Sequence, residues 1–486
     1  MSDPLIESRL EKLAQLRERG IPPYPNRVPN VHPIAPILKA HEGLAPEEHS
    51  GDRVSVAGRV MARRGMGKAA FLDLRDGTGK IQIHATVDAL GEAYAVLESL
   101  DVGDFLAVEG EVFRTKRGEV SVRAARWTFL SKAIRPLPEK WHGLKDIELR
   151  YRHRSIDLIS NDEVRATFIA RSKLLASLRR TLDGLGFLEV ETPALQRIAS
   201  GGHARPFATH HNTLDLDMYL RIALELYLKR VMIGGIDRVY EMGKCYRNEG
   251  VSTEHNPEFT MLEIYQAYAD YEDMMALIER MIRDGFQETI GTQRVEFRGQ
   301  TIDFGAPWRR VAMLNAVAEA LDIDPETLRT DRAIEIAVER GIDPMPESPG
   351  FALWALFERF VEETLVQPAF ITDYPIEVSP LAKKKPGDPA FVERFELFAM
   401  GMELANAFTE LNDPIDQRER FEQQERARAA GDEEAQPIDE DFLYAVEHGM
   451  PPAGGMGVGV DRIVMLCTGA PSIRDVILFP AQRRAS

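Results

Sequence analysis

Two segments of alternating apolar residues bracket a polar run between residues 239 and 265, and this restricts the chain there to a hairpin whose loop carries charge inward. The run is Arg247-Asn248-Glu249-Gly250, followed by His255-Asn256-Pro257-Glu258-Phe259-Thr260. The segment before it ends in Val239-Tyr240-Glu241-Met242, and the segment after it is Phe259-Thr260-Met261-Leu262-Glu263-Ile264-Tyr265. Both have the period-two pattern of strands. Side chains alternate across a strand, so Phe259, Met261, Glu263 and Tyr265 share a face. A bland amphipathic strand would not place Glu263 among large apolar groups.

About two hundred residues later comes Gly455-Met456-Gly457-Val458-Gly459-Val460-Asp461-Arg462, which reads as an apolar strand ending at an arginine. Glycine weakens a strand interior, so three on one face predict that something flat and large lies against the backbone. An adenine ring and its ribose would fit.

Together these stretches resemble motifs two and three of the class II aminoacyl-tRNA synthetases. The Arg-Asn-Glu-Gly and His-Asn-Pro-Glu-Phe-Thr runs resemble the bacterial-type lysyl-tRNA synthetases in particular, whereas aspartate enzymes of the class carry a more acidic turn. The resemblance covers nearly the whole chain. It implies an α+β protein, with an N-terminal five-stranded OB-fold β-barrel and a class II catalytic domain of mainly antiparallel sheet flanked by helices. The implied activity joins lysine to the 3′ end of tRNA(Lys) through a lysyl-adenylate, using ATP and Mg2+, in a homodimer.

Composition is compatible with this and narrows it little. A chain of 486 residues, 44% hydrophobic and 28% charged, holds two or three globular domains. The start, Met1-Ser2-Asp3-Pro4-Leu5-Ile6-Glu7-Ser8, has no basic region leading into an apolar stretch, and no apolar run reaches membrane-spanning length, so a cytoplasmic protein without membrane contact is expected. Cys245 and Cys467 are the two cysteines, too few for a disulfide framework or a zinc site, and are expected as free thiols. The net charge of −17 argues at first against nucleic acid. Read by region, residues 53–130 hold 12 Lys+Arg against 10 Asp+Glu, while residues 413–441 are strongly acidic. RNA binding through a local basic face is thereby permitted.

Along the chain, residues 1–52 read as an N-terminal helix to about residue 20 and a proline-rich linker. Strands are expected at 54–60, 69–74, 80–84, 105–112 and 120–128, with a turn at Asp76-Gly77-Thr78-Gly79 and a helical piece near 89–100. Five strands with a helix after the third describe an oligonucleotide-binding barrel over 53–135. Residues 136–160 read as an interdomain connection and 161–486 as the catalytic domain. Within the latter, a helix over 162–185 and a strand over 187–193 resemble motif one, which builds the dimer interface in class II synthetases. A helical insertion is expected at about 311–366. Ala382-Lys383-Lys384-Lys385-Pro386-Gly387-Asp388 reads as a mobile loop.

The resemblance assigns the chemistry residue by residue. Arg247 would grip the α-phosphate and the amino-acid carboxylate, its guanidinium offering a rigid fork of donors. Arg462 would meet the γ-phosphate and His255 another part of the triphosphate, while Phe259 stacks on adenine and Glu249 accepts from its amino group. Glu396 and Glu403 match the family's metal-binding glutamates, and a hairpin centred on Ala399-Met400 would bring them opposite each other. An ε-ammonium leaving water must meet carboxylates, and Glu225, Glu263 and Glu410 are the candidates, with Tyr265, Asn406 and the backbone near Gly202. In the resemblance Glu225 holds the α-amino group, while Glu263, Tyr265 and Glu410 surround the side chain. Asn406, Phe408 and Glu410 share strand parity but Glu403 does not, which predicts a bulge or twist near Leu404-Ala405. In the barrel, Arg64, Phe71, Gln82 and Glu119 match positions that read the lysine anticodon, with Phe71 stacking a base; the alternation Phe71-Leu72-Asp73-Leu74 leaves either face open to Phe71.

The chain departs from the pattern at Leu224, where some members carry proline, and in the shortened loop Gly201-Gly202-His203-Ala204-Arg205. Two rival readings are a ligase that lysylates a translation factor, a family without the N-terminal barrel, and an RNA-binding protein that kept the fold without catalysis. Loss of Arg247, Arg462, Glu396 or Glu403 would favour the second rival, and all four are present.

Overall fold

The computed structural model describes residues 3–28, 30–65, 67–138, 146–202, 204–429 and 437–482. The chain forms two compact units, divided between residues 144 and 145. His203, residues 139–145 of the expected connection and residues 430–436 of the acidic stretch lie outside the described residues.

In the first unit, β1 (His49–Arg64), β2 (Ala69–Arg75), β3 (Lys80–Thr86), β4 (Phe105–Arg114) and β5 (Val120–Ser131) close into a barrel in the order β1-β2-β3-β5-β4. Closure leaves no sheet edge exposed. Leu72, Leu74, Ile81, Ile83, Val108 and Val122 are fully or almost fully buried inside it. The β2–β3 turn is held by Asp76, whose carboxylate accepts from the Thr78 and Gly79 amides. The helical piece after β3 is a short α-helix, Val87–Leu90, running into a 3-10 helix, Gly91–Ser99.

The N-terminal segment differs from the expected helix and linker. Helix α1 (Pro4–Glu18) is followed by a second helix, α2 (Ile34–Ala40), within the proline-rich stretch. Leu16, Ile34 and Ile37 belong to the barrel's apolar cluster, and Arg9 donates to the Ala133 and Val102 carbonyls. Pro33 caps α2 and Pro36 lies in its first turn, where amide groups have no partner within the helix and proline costs no hydrogen bond.

The second unit is built on a large, mainly antiparallel sheet flanked by helices. Its strands are β6 (Leu188–Glu189), β7 (Arg238–Tyr246), β8 (Glu258–Ala267), β9 (Arg309–Ala312), β10 (Ala369–Pro375), β11 (Asp388–Ala399), β12 (Met402–Thr409) and β13 (Ala453–Gly459), in the spatial order β9-β10-β11-β12-β13-β8-β7-β6. Only the outermost pairs, β9 with β10 and β7 with β6, are parallel. Helix α3 (Asp162–Gly184) buries Leu174, Leu178 and Leu182 in the same cluster as Met274, Ile278, Met281 and Phe286, which lie on α5 (Tyr271–Ile290). Asp270 and Asp273 close a reciprocal cap at the start of α5, of the kind worth about 1 kcal/mol.

Three local expectations are corrected. The strand expected over 187–193 pairs only at Leu188–Glu189, because the Thr192 amide and hydroxyl turn instead to the Glu241 carboxylate. Val311 and Ala312, expected to open the helical insertion, belong to β9, and the helices Met313–Leu321, Arg332–Glu339 and Pro349–Phe360 follow. The expected mobile loop after Leu381 is paired structure: Lys384–Lys385 form a short strand on β11, and Lys383, Lys384 and Lys385 reach Asn412, Asp416 and Asp373.

Candidate active site

The hairpin read from the sequence is β7 and β8, in register from Arg238↔Gln266 to Tyr246↔Glu258. One face of β8 and the hairpin loop line a cavity of about 350 Å³, floored by β12 and β13. Phe259, Met261, Glu263 and Tyr265 all face it, with Arg247, Glu249 and His255 from the loop. Gly202, Glu225, Glu396, Glu403, Asn406 and Arg462 line it too. Of the predicted residues of this unit, Glu410 is the exception: it has no exposed surface and stands behind the wall.

The strand β13 ends at Gly459, and Val460, Asp461 and Arg462 begin helix α6 (Val460–Thr468); the expected strand reaching Arg462 is therefore corrected. Asp461 fixes this helix start, accepting from Arg171 and from the Thr260 amide. The three glycines do not serve one purpose. A side chain at Gly455 would overlap the Glu410 carboxylate and the Tyr265 ring, so protein fills that space. At Gly457 and Gly459 an added carbon would meet nothing closer than 3.6 Å, leaving the backbone open to a flat ligand.

One end of the cavity is cationic. The Arg247 guanidinium lies 5.1 Å from the Phe259 ring, and its buried Nε has no hydrogen-bond partner among the described residues. An unpartnered buried donor points to a missing acceptor. Arg462 donates to the Glu403 carbonyl at 2.6 Å and approaches His255 Nε2 at 3.2 Å. A guanidinium only donates, so His255 Nε2 accepts and Nδ1 carries the proton toward the Ser252 hydroxyl at 2.9 Å. Burial, then Arg462, lowers the His255 pKa and keeps the ring neutral.

Glu396 on β11 and Glu403 on β12 are brought to one wall, but not directly opposite each other. Glu396 pairs with Asn406 and Phe398 with Glu403, and the register slips between them at Leu404. That bulge is the predicted one, and it turns Glu403 toward the same side as Asn406. The hairpin turn lies at Met400-Gly401, both with positive φ. Burial, with Glu403 adding repulsion, pushes Glu396 up to about 7 despite Arg394 and Tyr374. Arg394 bonds both Glu396 and Asn406; sequence reasoning missed it, although Arg394 and Glu396 share strand parity.

The opposite end is acidic. Glu263, 4% exposed, accepts from the Leu224 amide at 2.8 Å and the Tyr265 hydroxyl at 2.9 Å. Proline has no amide hydrogen, so this bond needs a residue other than proline at 224. Burial, then Glu225, pushes Glu263 up to about 7. Glu225 opens helix α4 (Glu225–Ile233) against Gly201, whose φ of +85° favours glycine. Lys229, also missed, lies one turn after Glu225 and pairs with it and with Glu410. An i,i+4 Glu-Lys spacing on a helical segment was the available signal.

On the barrel, register puts Arg64 opposite Phe71, Phe71 opposite His84, and Asp73 opposite Gln82. Leu72 and Leu74 point inward, so Phe71 lies on the outer face, where its ring stacks on His84 at 4.7 Å. Arg64 pairs with Asp73 at 2.7 Å, and Gln82 donates to Glu119 at 3.0 Å. His84 and Asp73 extend this face beyond the four residues expected. Cys245 and Cys467 are free and buried, and burial pushes both thiols up to about 12.

A barrel of this topology in one unit and, in the other, a glycine-floored cavity with arginines at one end and carboxylates at the other define a class, and comparison with known families agrees: residues 146–483 match tRNA synthetases class II (D, K and N), and residues 54–130 match the OB-fold nucleic acid binding domain. The chain belongs to the class II aminoacyl-tRNA synthetases. Its relatives include the lysine–tRNA ligase of Moorella thermoacetica, 53% identical over 99% of this chain and 98% of that protein. Those of Bacillus subtilis and Thermosynechococcus vestitus are 50% and 51% identical over 99% of this chain and 97% and 96% of theirs.

Proposed function

We infer that the chain is a lysine–tRNA ligase. A lysine carboxylate oxygen attacks the α-phosphorus of ATP, pyrophosphate leaves, and the lysyl-adenylate then passes its acyl group to the 3′ end of tRNA(Lys) with release of AMP. The observation that carries this reading is the pair of buried glutamates, Glu225 and Glu263, at the end of a cavity whose other end is cationic. A substrate with ammonium groups would offset the buried negative charge that remains there.

Adenylate formation is mostly positioning and charge neutralisation. Arg247, at the cationic end with a guanidinium nitrogen near Gly202, would hold both the α-phosphate and the lysine carboxylate. Arg462 and the neutral His255 would hold the outer phosphates, with adenine between Phe259 and the open backbone at Gly457, its amino group donating to Glu249. Glu225 would take the α-ammonium near Gly202, while Glu263, Tyr265 and Asn406 meet the side chain and Glu410 acts from behind the wall.

Glu396 and Glu403 fit Mg2+. They are oxygen donors on one wall that repel each other, and magnesium uses one or two carboxylates and completes its shell with phosphate oxygens and water. When bound, the cation would neutralise triphosphate charge.

Residues 53–135 are proposed to read the anticodon through Arg64, Phe71, Gln82 and Glu119, with residues 161–486 as the catalytic domain. A homodimer is supported by apolar surface on the motif-one segment, where Ile169 and Leu188 are 47% and 51% exposed. No helix among the described residues is long and apolar enough to cross a membrane, in keeping with work in the cytoplasm. The test is aminoacylation of a tRNA(Lys) transcript. Lysine should be transferred, and poorly so to a transcript with substituted anticodon bases; absence of transfer with lysine would overturn the reading.

A further inference from the structure

Helix α4 carries a lysine behind the cavity wall. The Lys229 side chain has no exposed surface, and its Nζ lies 2.5 Å from Glu225 Oε1 and 2.5 Å from Glu410 Oε2. The Phe408 and Phe442 rings lie 5.3 and 5.9 Å from it. Glu263, Tyr265 and the Cys245 thiol complete the titratable groups facing this cluster. Burial alone lowers a lysine's pKa, but Glu225 and Glu410 outweigh it and Lys229 holds its proton.

We propose that Lys229 is a positioning residue that sets the charge of the amino-acid pocket: by matching one of three carboxylates, it leaves two negative charges, the number of ammonium groups a lysine substrate brings. The inference rests on the lysine-ligase reading of this cavity. Lys229 never touches substrate; it acts through Glu225 and Glu410. Without substrate, three carboxylates share one ammonium, and burial pushes Glu263 up to about 7 and Glu410 up to about 8. Protons therefore occupy those carboxylates until the substrate's ammonium groups displace them. The sign follows: lysine binding strengthens, and its KM falls, as pH rises through that range.

Replacing Lys229 with Met leaves the three carboxylates with no internal cation, so Glu263 and Glu410, whose pKa Lys229 lowers, hold protons to higher pH and lysine must displace more of them. The experiment measures ATP–pyrophosphate exchange by the full-length enzyme against lysine and ATP concentration at several pH values. Lys229→Met should raise the lysine KM roughly tenfold or more near neutral pH, one pKa unit being tenfold in binding. Part of that loss should return in alkaline buffer, and the ATP KM should stay unchanged. The charge-compensated double variant Lys229→Met/Glu410→Gln again leaves two charges and should bind lysine better than Glu410→Gln alone, which leaves one. If Lys229 is only a strut, the loss is independent of pH and the double variant is worse than either single variant. That result overturns the proposal, as does failure of the double variant to fold. Were the unmodified enzyme not to exchange with lysine at all, the ligase reading would fall first.

Discussion

Arg247 carries the heaviest proposed chemical demand of any residue here, because the α-phosphate and the lysine carboxylate are both assigned to it. Arg247→Ala removes a preorganised cation from the position where phosphoryl charge develops, and exchange should fall by roughly 10²-fold or more. Its Nε makes no protein hydrogen bond among the described residues, so the melting temperature should hardly move; near-normal exchange would contradict the role. Leu224 gives a finer test. Its amide bond to Glu263 is lost in Leu224→Pro, at about 0.5–1.5 kcal/mol. Glu263 would then hold its proton to higher pH, and the lysine KM should rise several-fold at neutral pH and less in alkaline buffer. Much of this scale was legible in the sequence: parity on one strand placed Glu263 and Tyr265 together without a structure. Lys229 was legible only as an i,i+4 partner of Glu225; its second partner, Glu410, is 181 positions away in sequence and meets it only through the packing of α4 on the end of β12.

At the scale of elements, the period-two pattern located all five barrel strands and the β7–β8 hairpin. What it missed has physical causes. The strand over 187–193 was cut short by side-chain bonds from Glu241, and α2 was masked by flanking prolines, which read as linker yet are tolerated at a helix start. The bulge at Leu404 was inferred from a mismatch of parity, and the register bears it out. The inside of the barrel was fixed only by closure, which buries Leu72 and Leu74 and turns Phe71 outward. Phe71→Ala should therefore weaken tRNA charging by about 1–3 kcal/mol of stacking, leaving lysine-dependent exchange without tRNA untouched. Equal damage to both assays would make Phe71 a packing residue.

At the scale of the whole molecule, a net charge of −17 conceals two opposed needs. The acidic end of the cavity gathers carboxylates, while its other end and the outer barrel face present arginines, so the sum says little about partners. Sedimentation of the 54.7 kDa chain should give twice that mass if the motif-one surface pairs with a second copy; a monomer at micromolar concentration would remove the dimer from the account. The central claim is the match between the buried acidic pocket and lysine, and ATP–pyrophosphate exchange measured with each of the twenty amino acids and with norleucine tests it most directly. Lysine should drive exchange far above every other amino acid, and norleucine, which keeps the chain length but lacks the ammonium, should leave the buried carboxylates unpaired and fail. Exchange with norleucine equal to that with lysine, or faster exchange with another amino acid, would contradict the account.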